Sequence, residues 1–313
     1  MTVQSGLLLV DKPAGITSHD VVAKVRRLAG TRKVGHAGTL DPMATGLMLL
    51  GIESATKLLT FLVGEDKTYL ATIRLGASTV TDDAEGDVIG KASPNDVARI
   101  FAQLSEVLEP ALQKLRGEIS QRPSAVSAIK VDGQRAYARV RSGEEVVLDA
   151  RQVTVSRFEM LSQPRLIEGQ DGTFIDLDVV VDCSSGTYIR ALARDLGSDL
   201  RLGGHLTSLR RTRVGDFSIE DAPSLSDLER DGLRVLPLAQ AAIARFETYN
   251  LTSAEALGLR QGKRPSFRAE AMPSVRERIA SGVDFAAIDQ DAKLVAIVQR
   301  HSNQLKSTVV FND

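Results

Sequence analysis

The chain has little cysteine, no tryptophan and no long apolar run, and two of these features exclude a class of protein. Tryptophan is absent, and Cys183 is the single cysteine among 313 residues. One cysteine forms neither an internal disulfide bond nor a multi-cysteine zinc site, which favours a reducing cytoplasm. No apolar run approaches the roughly 18 residues that a membrane helix needs, and residues 7–10 are too short for a signal-peptide core. We therefore expect a cytoplasmic protein without a membrane span.

The chain also lacks an excess of charge of either sign. Lys and Arg number 39 against 40 Asp and Glu, and hydrophobic residues make up 43%. This composition is typical of a soluble globular protein and excludes a disordered or collagen-like chain. A net charge of −1 argues against a nucleic-acid partner, since proteins that bind nucleic acid are often basic overall.

Apolar periodicity predicts a mixture of strands and helices. A helix is expected to begin with Thr17 or Ser18 as its cap and to end at Gly30. Over residues 175–183 apolar side chains alternate with aspartates, which is typical of a strand with one buried and one solvent-exposed face. A further helix is expected over residues 187–200. Helices and strands do not alternate regularly, which favours an α+β fold over a doubly wound sheet.

A domain boundary is expected near residue 245. The stretch 233–244 is mostly apolar and typical of a helix, and short strand-like runs follow it at residues 285–288 and 294–298. We therefore predict a larger domain over residues 1–245 and a small β domain over residues 246–313.

Most signatures of common enzyme classes are missing. The sequence contains no Walker loop, no GxGxxG after a strand, no GxSxG and no HExxH. These absences argue against nucleotide-phosphate binding, dinucleotide binding, serine hydrolysis and a metal site. We therefore expect no metal site.

One loop combines an acid, a histidine, a proline and three glycines within twelve residues. It reads Gly35-His36-Ala37-Gly38-Thr39-Leu40-Asp41-Pro42-Met43-Ala44-Thr45-Gly46. Pro42 restricts Asp41 to extended or turn conformations, which holds the carboxylate in a defined direction. Such a loop suits a reactive carboxylate. A plain Asx-Pro turn explains the same residues and stays open as an alternative.

Several stretches of the chain, in fixed order, resemble one enzyme family. They are Gly6-Leu-Leu-Leu-Val-Asp11-Lys12-Pro13-Ala-Gly-Ile-Thr-Ser18, the loop that begins at Gly35, Ala55-Thr56-Lys57, Lys67-Thr68-Tyr69, residues 121–137, residues 183–190 and Leu209-Arg210-Arg211-Thr212. Together they resemble the bacterial tRNA pseudouridine synthase B (TruB) family. The resemblance covers residues 6–218 and is specific because independent motifs occur in order. It implies a pseudouridine-synthase fold with a mixed, largely antiparallel sheet, and isomerisation of uridine 55 in the T loop of tRNA.

The resemblance implies three catalytic residues. Asp41 is the essential carboxylate, Arg190 pairs with it and keeps it ionised, and Tyr69 stacks against a uracil that has been flipped out of the T loop. The residues leave alternatives open. Tyr69 could be a core tyrosine, and Arg190 could be an exposed residue in the first turn of a helix.

The resemblance also implies residues that bind the substrate. They are His36, which enters the space left by the flipped base, Tyr188 and Leu209, which line the base pocket, and Lys57, Lys12, Lys130 and Arg211. Core packing is the alternative for Tyr188 and Leu209. For Lys12 the alternative is a structural turn that braces the loop of Asp41, and for Lys57 it is orientation of a neighbouring element.

Local charge corrects the impression given by the neutral total. Residues 116–141 and residues 186–215 each carry six basic against two acidic side chains, whereas residues 216–232 carry six acids and one base. Separated blocks of this kind are consistent with one RNA-facing side. Arg135, Tyr137, Arg139 and Arg141 interleave basic and aromatic side chains, as an RNA clamp does. Residues 246–313 resemble, more weakly, a PUA-like RNA-binding domain.

The resemblance implies a cytoplasmic monomer that acts on tRNA without a cofactor, a metal, a membrane or obligatory protein partners. Two other hypotheses remain at this stage. One is a tRNA-folding chaperone whose task does not need catalysis. The other is the same chemistry on ribosomal or guide-selected RNA.

Overall fold

The computed structural model describes residues 4–124, 130–131, 134–135, 149–272 and 282–312. Within them the chain forms two compact units, each assembled from separate segments. The first unit draws on residues 1–42, 47–63 and 215–313, and the second on residues 43–46 and 64–214.

The strands of the described residues are numbered in chain order. They are β1 Gly6–Lys12, β2 Val34–His36, β3 Thr45–Ile52, β4 Lys67–Leu75, β5 Ala77–Thr79, β6 Val88–Lys91, β7 Gly117–Gln121, β8 Lys130–Val131, β9 Gln134–Arg135, β10 Arg151–Met160, β11 Arg165–Gly169, β12 Gly172–Cys183, β13 Gly204–Val214, β14 Phe217–Ser218, β15 Leu236–Pro237, β16 Glu247–Asn250, β17 Asp284–Ile288, β18 Leu294–His301 and β19 Gln304–Val310.

The helices of the same residues are numbered likewise. The α-helices are α1 Ser18–Ala29, α2 Leu59–Leu62, α3 Pro94–Ala102, α4 Leu104–Lys114, α5 Ile189–Asp199, α6 Leu225–Asp231, α7 Leu238–Ile243 and α8 Ser253–Arg260. Short 3₁₀ turns span Glu53–Lys57, Ile219–Asp221 and Ala269–Ala271.

The first unit is built around β1 and β3, which are neighbours in one sheet. β15 pairs antiparallel with β1, and β2 pairs antiparallel with β3. Helix α1 begins at a capping box, in which Thr17 and Asp20 exchange side-chain and backbone hydrogen bonds, and ends at Gly30 in the left-handed conformation. These signals are why its start and its end were predictable from the sequence.

The C-terminal part of the first unit is a separate four-stranded sheet in the order β16-β17-β18-β19. β16 and β17 are parallel, and the other pairs are antiparallel. Its apolar face carries a hydrophobic core that includes Tyr249, Phe285, Val298 and Leu305. The strands predicted over residues 285–288 and 294–298 are confirmed.

The second unit contains a sheet in the order β13-β4-β12-β10-β7, in which neighbouring strands are antiparallel. Thr45 and Gly46, which begin β3, run parallel to Arg210 and Arg211 of β13. Helix α5 packs against β13 and β4, and α3 packs against β12. The predicted α+β class with a mixed, largely antiparallel sheet is confirmed.

Two local predictions differ from the structure. The helix expected from Thr187 begins at Ile189 instead, after Tyr188 in an extended conformation. The stretch 233–244 is not one helix, because Leu236 and Pro237 form a strand and the helix begins at Leu238. Pro237 explains this break, since it disfavours helical backbone at the residue before it.

Candidate active site

Lys12 braces the loop of Asp41 within the first unit. Its side chain is fully buried at the end of β1, and Nζ donates to the carbonyls of Pro13 at 2.8 Å, Ile16 at 2.7 Å and Pro42 at 3.1 Å. An ammonium group has three donors, so these carbonyls satisfy the buried charge. This environment favours the structural alternative for Lys12 over contact with RNA phosphate.

Both residues that flank Asp41 are held by hydrogen bonds. The Pro42 carbonyl also accepts from the amide of Gly15 at 2.8 Å. On the other side, the hydroxyl of Ser18 donates to the Leu40 carbonyl at 2.9 Å and accepts from the Leu40 amide at 2.8 Å. Asp41 itself is half-buried and lies between these two fixed points.

We expect Lys12→Met to lower the free energy of unfolding by at least about 2 kcal/mol. The change leaves buried carbonyls without a donor, and each unpaired buried group costs about 1–3 kcal/mol. Urea unfolding measures the loss. Lys24→Met is the matched control, because the ion pair of Lys24 with Glu229 is exposed, and such pairs contribute about 0–1 kcal/mol. Equal losses in the two variants contradict the bracing role.

His36 lies at the end of β2 on the same loop. It is half-buried, and its ring meets that of His19 edge to face, with centroids 5.9 Å apart. Since His19 lies in the first turn of α1, the start of this helix reaches the loop at His36 as well as at Leu40.

Three of the site residues that the family resemblance implies lie on one face of the second unit's sheet. Alternate residues of β4 from Lys67 onward are buried, and Tyr69 is among them. Tyr69 lies opposite Arg211 on β13, and Ala71 lies opposite Leu209. Directly opposite residues of paired strands point to the same face. Tyr69, Leu209 and Arg211 therefore lie together, and all three are buried.

The same face carries a buried lysine that the sequence-based site did not include. Lys67 lies two residues before Tyr69 and opposite Cys183 of β12. Burial and the neighbouring charge of Arg211 lower the pKa of Lys67 to about 8, whereas burial raises the pKa of the Cys183 thiol to about 11. The period-two spacing of Lys67 and Tyr69 was the available signal that both face the same side.

Arg190 is buried in the first turn of α5, so the alternative of an exposed arginine is wrong. Its guanidinium donates to the Thr81 carbonyl at 2.8 Å and lies 3.3 Å from the carboxylate of Asp83. Both side chains of this ion pair are almost fully buried. Asp83 was not singled out from the sequence.

A second arginine–aspartate pair lies one helical turn further along α5. Arg194 is 3.2 Å from the Asp82 carboxylate, which also accepts a hydrogen bond from Ser124 at 2.6 Å. Burial raises the pKa of Asp82, although Ser124 and Arg194 lower it. Two arginines spaced by four residues thus hold two consecutive aspartates.

Gln121 fixes the residue that precedes α5. Its side-chain amide accepts from the Tyr188 amide at 2.7 Å and donates to the Tyr188 carbonyl at 3.0 Å. Gly204 of β13 lies opposite Leu75, on the sheet face of Tyr69, and a Cβ on Gly204 would lie 2.4 Å from the Ala193 carbonyl oxygen of α5. Helix α5, which follows Tyr188 and carries Arg190, therefore packs on that face. Gln121 begins the family-like stretch at residues 121–137, but the position of Gln121 in the sequence does not indicate a contact with Tyr188.

Gly46 makes a close approach that no other residue type allows. A Cβ at this position would lie 2.2 Å from the carbonyl oxygen of Arg211 and 2.8 Å from its amide nitrogen, and the φ angle is +105°. We expect Gly46→Ala to cost about 3 kcal/mol or more, from overlap and backbone strain together.

Thermal or urea unfolding measures the effect of Gly46→Ala. Gly64→Ala is the control in the same unit, since no described atom other than those of its chain neighbours lies within 4 Å of the added Cβ. A loss no larger than that of Gly64→Ala contradicts the close approach of β3 to β13.

The remaining implied residues fall elsewhere. Lys57 donates from Nζ to the Val310 carbonyl at 2.9 Å and lies 5.7 Å from the centre of the Phe311 ring, which favours orientation of a neighbouring element. Lys130 begins β8, and its side chain lies outside the described residues, as do Tyr137, Arg139, Arg141 and the side chain of Arg135. Among the residues described, no three His, Cys, Asp or Glu side chains converge to hold a metal ion.

Solved structures share this fold. A chain of an H/ACA ribonucleoprotein bound to a substrate RNA containing 2′-deoxyuridine superposes with a TM-score of 0.68 and 23% identity, covering 100% of this chain and 87% of that one. A chain of a Cbf5-Nop10-Gar1 complex gives a TM-score of 0.68 and 24% identity, with 100% and 86% covered. These likenesses show the fold alone.

Sequence comparison defines the class. The N-terminal domain model of the TruB family pseudouridylate synthases matches residues 26–189, and the tRNA pseudouridylate synthase B C-terminal domain model matches residues 190–234. The protein is therefore a pseudouridylate synthase, an isomerase.

Relatives named tRNA pseudouridine synthase B match almost the whole chain. The relative from Leifsonia xyli subsp. xyli is 52% identical over 309 residues, covering 99% of this chain and 97% of its own. The relative from Corynebacterium diphtheriae is 49% identical over 306 residues, covering 98% and 96%. The chain belongs to the TruB family, as the resemblance indicated.

Proposed function

We propose that this enzyme isomerises uridine 55 in the T loop of tRNA to pseudouridine, with Asp41 as the essential carboxylate. The observation that carries the proposal is the shared face of Tyr69, Leu209 and Arg211, against which α5 packs with Tyr188 and Arg190. An aromatic ring, an aliphatic side chain and buried cations suit a flipped uracil. Relatives named tRNA pseudouridine synthase B, which are 49–52% identical over nearly the whole chain, support tRNA as the substrate.

The reaction is an isomerisation, so the uridine and the pseudouridine contain the same atoms. The C1′–N1 bond breaks, uracil turns, and a C5–C1′ bond forms. C5 then loses its proton while N1 gains one. A carboxylate serves this sequence either by covalent attack on C1′ or C6, or by removal of a sugar proton to give a glycal. Both routes need an ionised and firmly directed Asp41.

Each residue on this face of the second unit has a proposed part. The Arg190 guanidinium pairs with Asp41 and keeps it ionised, and its bonds to Thr81 and Asp83 hold it in place for that task. Tyr69 stacks on the base and assists removal of the C5 proton. Leu209 and Tyr188 line the pocket, with Arg211 beneath it.

The other implied residues act on binding and on the loop. His36 fills the space left by the flipped base. Lys12 braces the loop of Asp41, which its three carbonyl acceptors support. Lys57 orients the last strand of the C-terminal sheet, which its bond to Val310 supports. Lys130 is proposed to contact the RNA backbone.

We propose that the domain of residues 246–313 contacts tRNA outside the T loop and that the enzyme acts as a cytoplasmic monomer without obligatory protein partners. Within the basic block at residues 186–215, Arg190 and Arg211 are buried, whereas Arg201 is exposed and Arg210 and Arg213 are half-buried. These last three side chains support an RNA-facing side. Separately, none of the helices in the described part of the chain has the length and hydropathy of a membrane span.

Tritium release tests the proposed function. The substrate is a T-stem-loop hairpin labelled at C5 of its uridines, and isomerisation at a uridine releases its label into water. We expect release from the isolated hairpin with the purified enzyme alone. No release until another protein or a guide RNA is added overturns the proposal.

A further inference from the structure

Ser18 places a buried hydroxyl against the loop that carries the candidate carboxylate. The side chain is only 2% exposed, and its hydroxyl bonds to both the amide and the carbonyl of Leu40, 22 residues away. One hydroxyl thus satisfies both backbone polar groups of the residue that directly precedes Asp41. Since all of these residues lie in the first unit, the contact is internal to it.

This contact is not explained by helix capping. The N-cap of α1 is Thr17, whose hydroxyl accepts from the Asp20 amide at 3.1 Å, while the Asp20 carboxylate accepts from the Thr17 amide at 2.8 Å. The first turn is therefore capped without Ser18. Serine is not a favoured residue within a helix. The role of its hydroxyl at this position is therefore the pair of hydrogen bonds to Leu40.

The geometry points to Ser18 as a positioning residue for Asp41, an inference that rests on the proposed function. Two hydrogen bonds fix the peptide groups on both sides of Leu40. Pro42 restricts Asp41 from the other side, and its carbonyl is held by Lys12 and Gly15. The backbone of Asp41 is thereby fixed at the residue before it and at the residue after it. The carboxylate is consequently oriented before the substrate binds.

Correct placement of a reacting group raises the reaction rate strongly, and a displacement of about 1 Å can lower that rate about 100-fold. We therefore expect Ser18→Ala to lower the single-turnover rate of pseudouridine formation about tenfold or more. The Kd for tRNA should change by less than about twofold, because Ser18 is buried and acts on the orientation of Asp41.

Thr17→Ala is the matched control. It removes the cap of the same helix and lowers thermal stability, but it leaves both bonds between Ser18 and Leu40 in place. We expect its single-turnover rate to stay within about twofold of the wild-type rate at a temperature where it is fully folded. A merely structural role for Ser18 predicts equal rate losses in the two variants.

The experiment measures single-turnover rates with excess enzyme on a T-stem-loop hairpin, tRNA binding by filter retention, and thermal midpoints. Ser18→Cys is included because a thiol is a weak donor and acceptor; its rate should fall at least about threefold, which keeps the test decisive if Ser18→Ala does not fold. Wild-type rates in both serine variants overturn the inference, as do losses equal to that of Thr17→Ala. Absence of turnover by the wild-type enzyme instead refutes the proposed function.

Discussion

Replacing Asp41 by Asn should lower the rate of pseudouridine formation by about 10³-fold or more. The amide is neither a nucleophile nor a base, and a catalytic carboxylate contributes at least the 10²–10⁴-fold typical of a positioned acid or base. The Kd for tRNA should change by less than about threefold, because RNA affinity comes mainly from contacts to phosphates. Tritium release and filter binding measure the two quantities.

Asp96→Asn is the control for this change. Asp96 is an exposed aspartate of the second unit that bonds to Ser93 and Arg99 at the start of α3, so it should leave the rate unchanged. Full turnover by the Asp41→Asn protein would refute the account, whereas loss of tRNA binding together with activity would assign Asp41 to binding.

Replacing Arg190 by Met should damage both activity and stability. The rate of pseudouridine formation should fall about 10²-fold or more, because in the proposed function Arg190 is the cation that keeps the Asp41 carboxylate ionised and directed. The free energy of unfolding should fall by about 3–5 kcal/mol, because Asp83 is left as a buried charge without its ion-pair partner. Single-turnover kinetics and urea unfolding measure the two losses.

The double variant Arg190→Met with Asp83→Leu separates these effects. Replacing both members of a buried ion pair by apolar residues is often close to neutral, so the double variant should recover most of the lost stability. Its activity should remain as low as that of Arg190→Met. Recovery of activity along with stability contradicts a role for Arg190 in the reaction and leaves it a structural residue.

Local signals explain what could be predicted. The capping box at Thr17 and the left-handed Gly30 bound α1 because caps depend on neighbouring residues alone. The alternation of apolar residues and aspartates predicted a strand over residues 175–183, which lies within the observed strand Gly172–Cys183. The C-terminal strands followed from short apolar runs. The family itself followed from several motifs in a fixed order.

Contacts between distant residues explain what could not be predicted. Asp83 forms an ion pair with Arg190, and Gln121 forms hydrogen bonds with Tyr188, although the members of each pair are 67 residues or more apart in sequence. Likewise, Ser18 reads as one of two possible helix caps until the structure shows its hydroxyl on Leu40. No spacing rule connects such residues, because the sheet register and the packing of α5 bring them together.

The central claim is that this enzyme makes pseudouridine at position 55 of tRNA through Asp41. The most direct measurement maps pseudouridine in an unmodified tRNA transcript by carbodiimide labelling and primer extension after incubation with the purified enzyme. The account predicts one new stop, at uridine 55, with wild-type enzyme and none with Asp41→Asn. Pseudouridine at another position, or the same stop with Asp41→Asn, would contradict it.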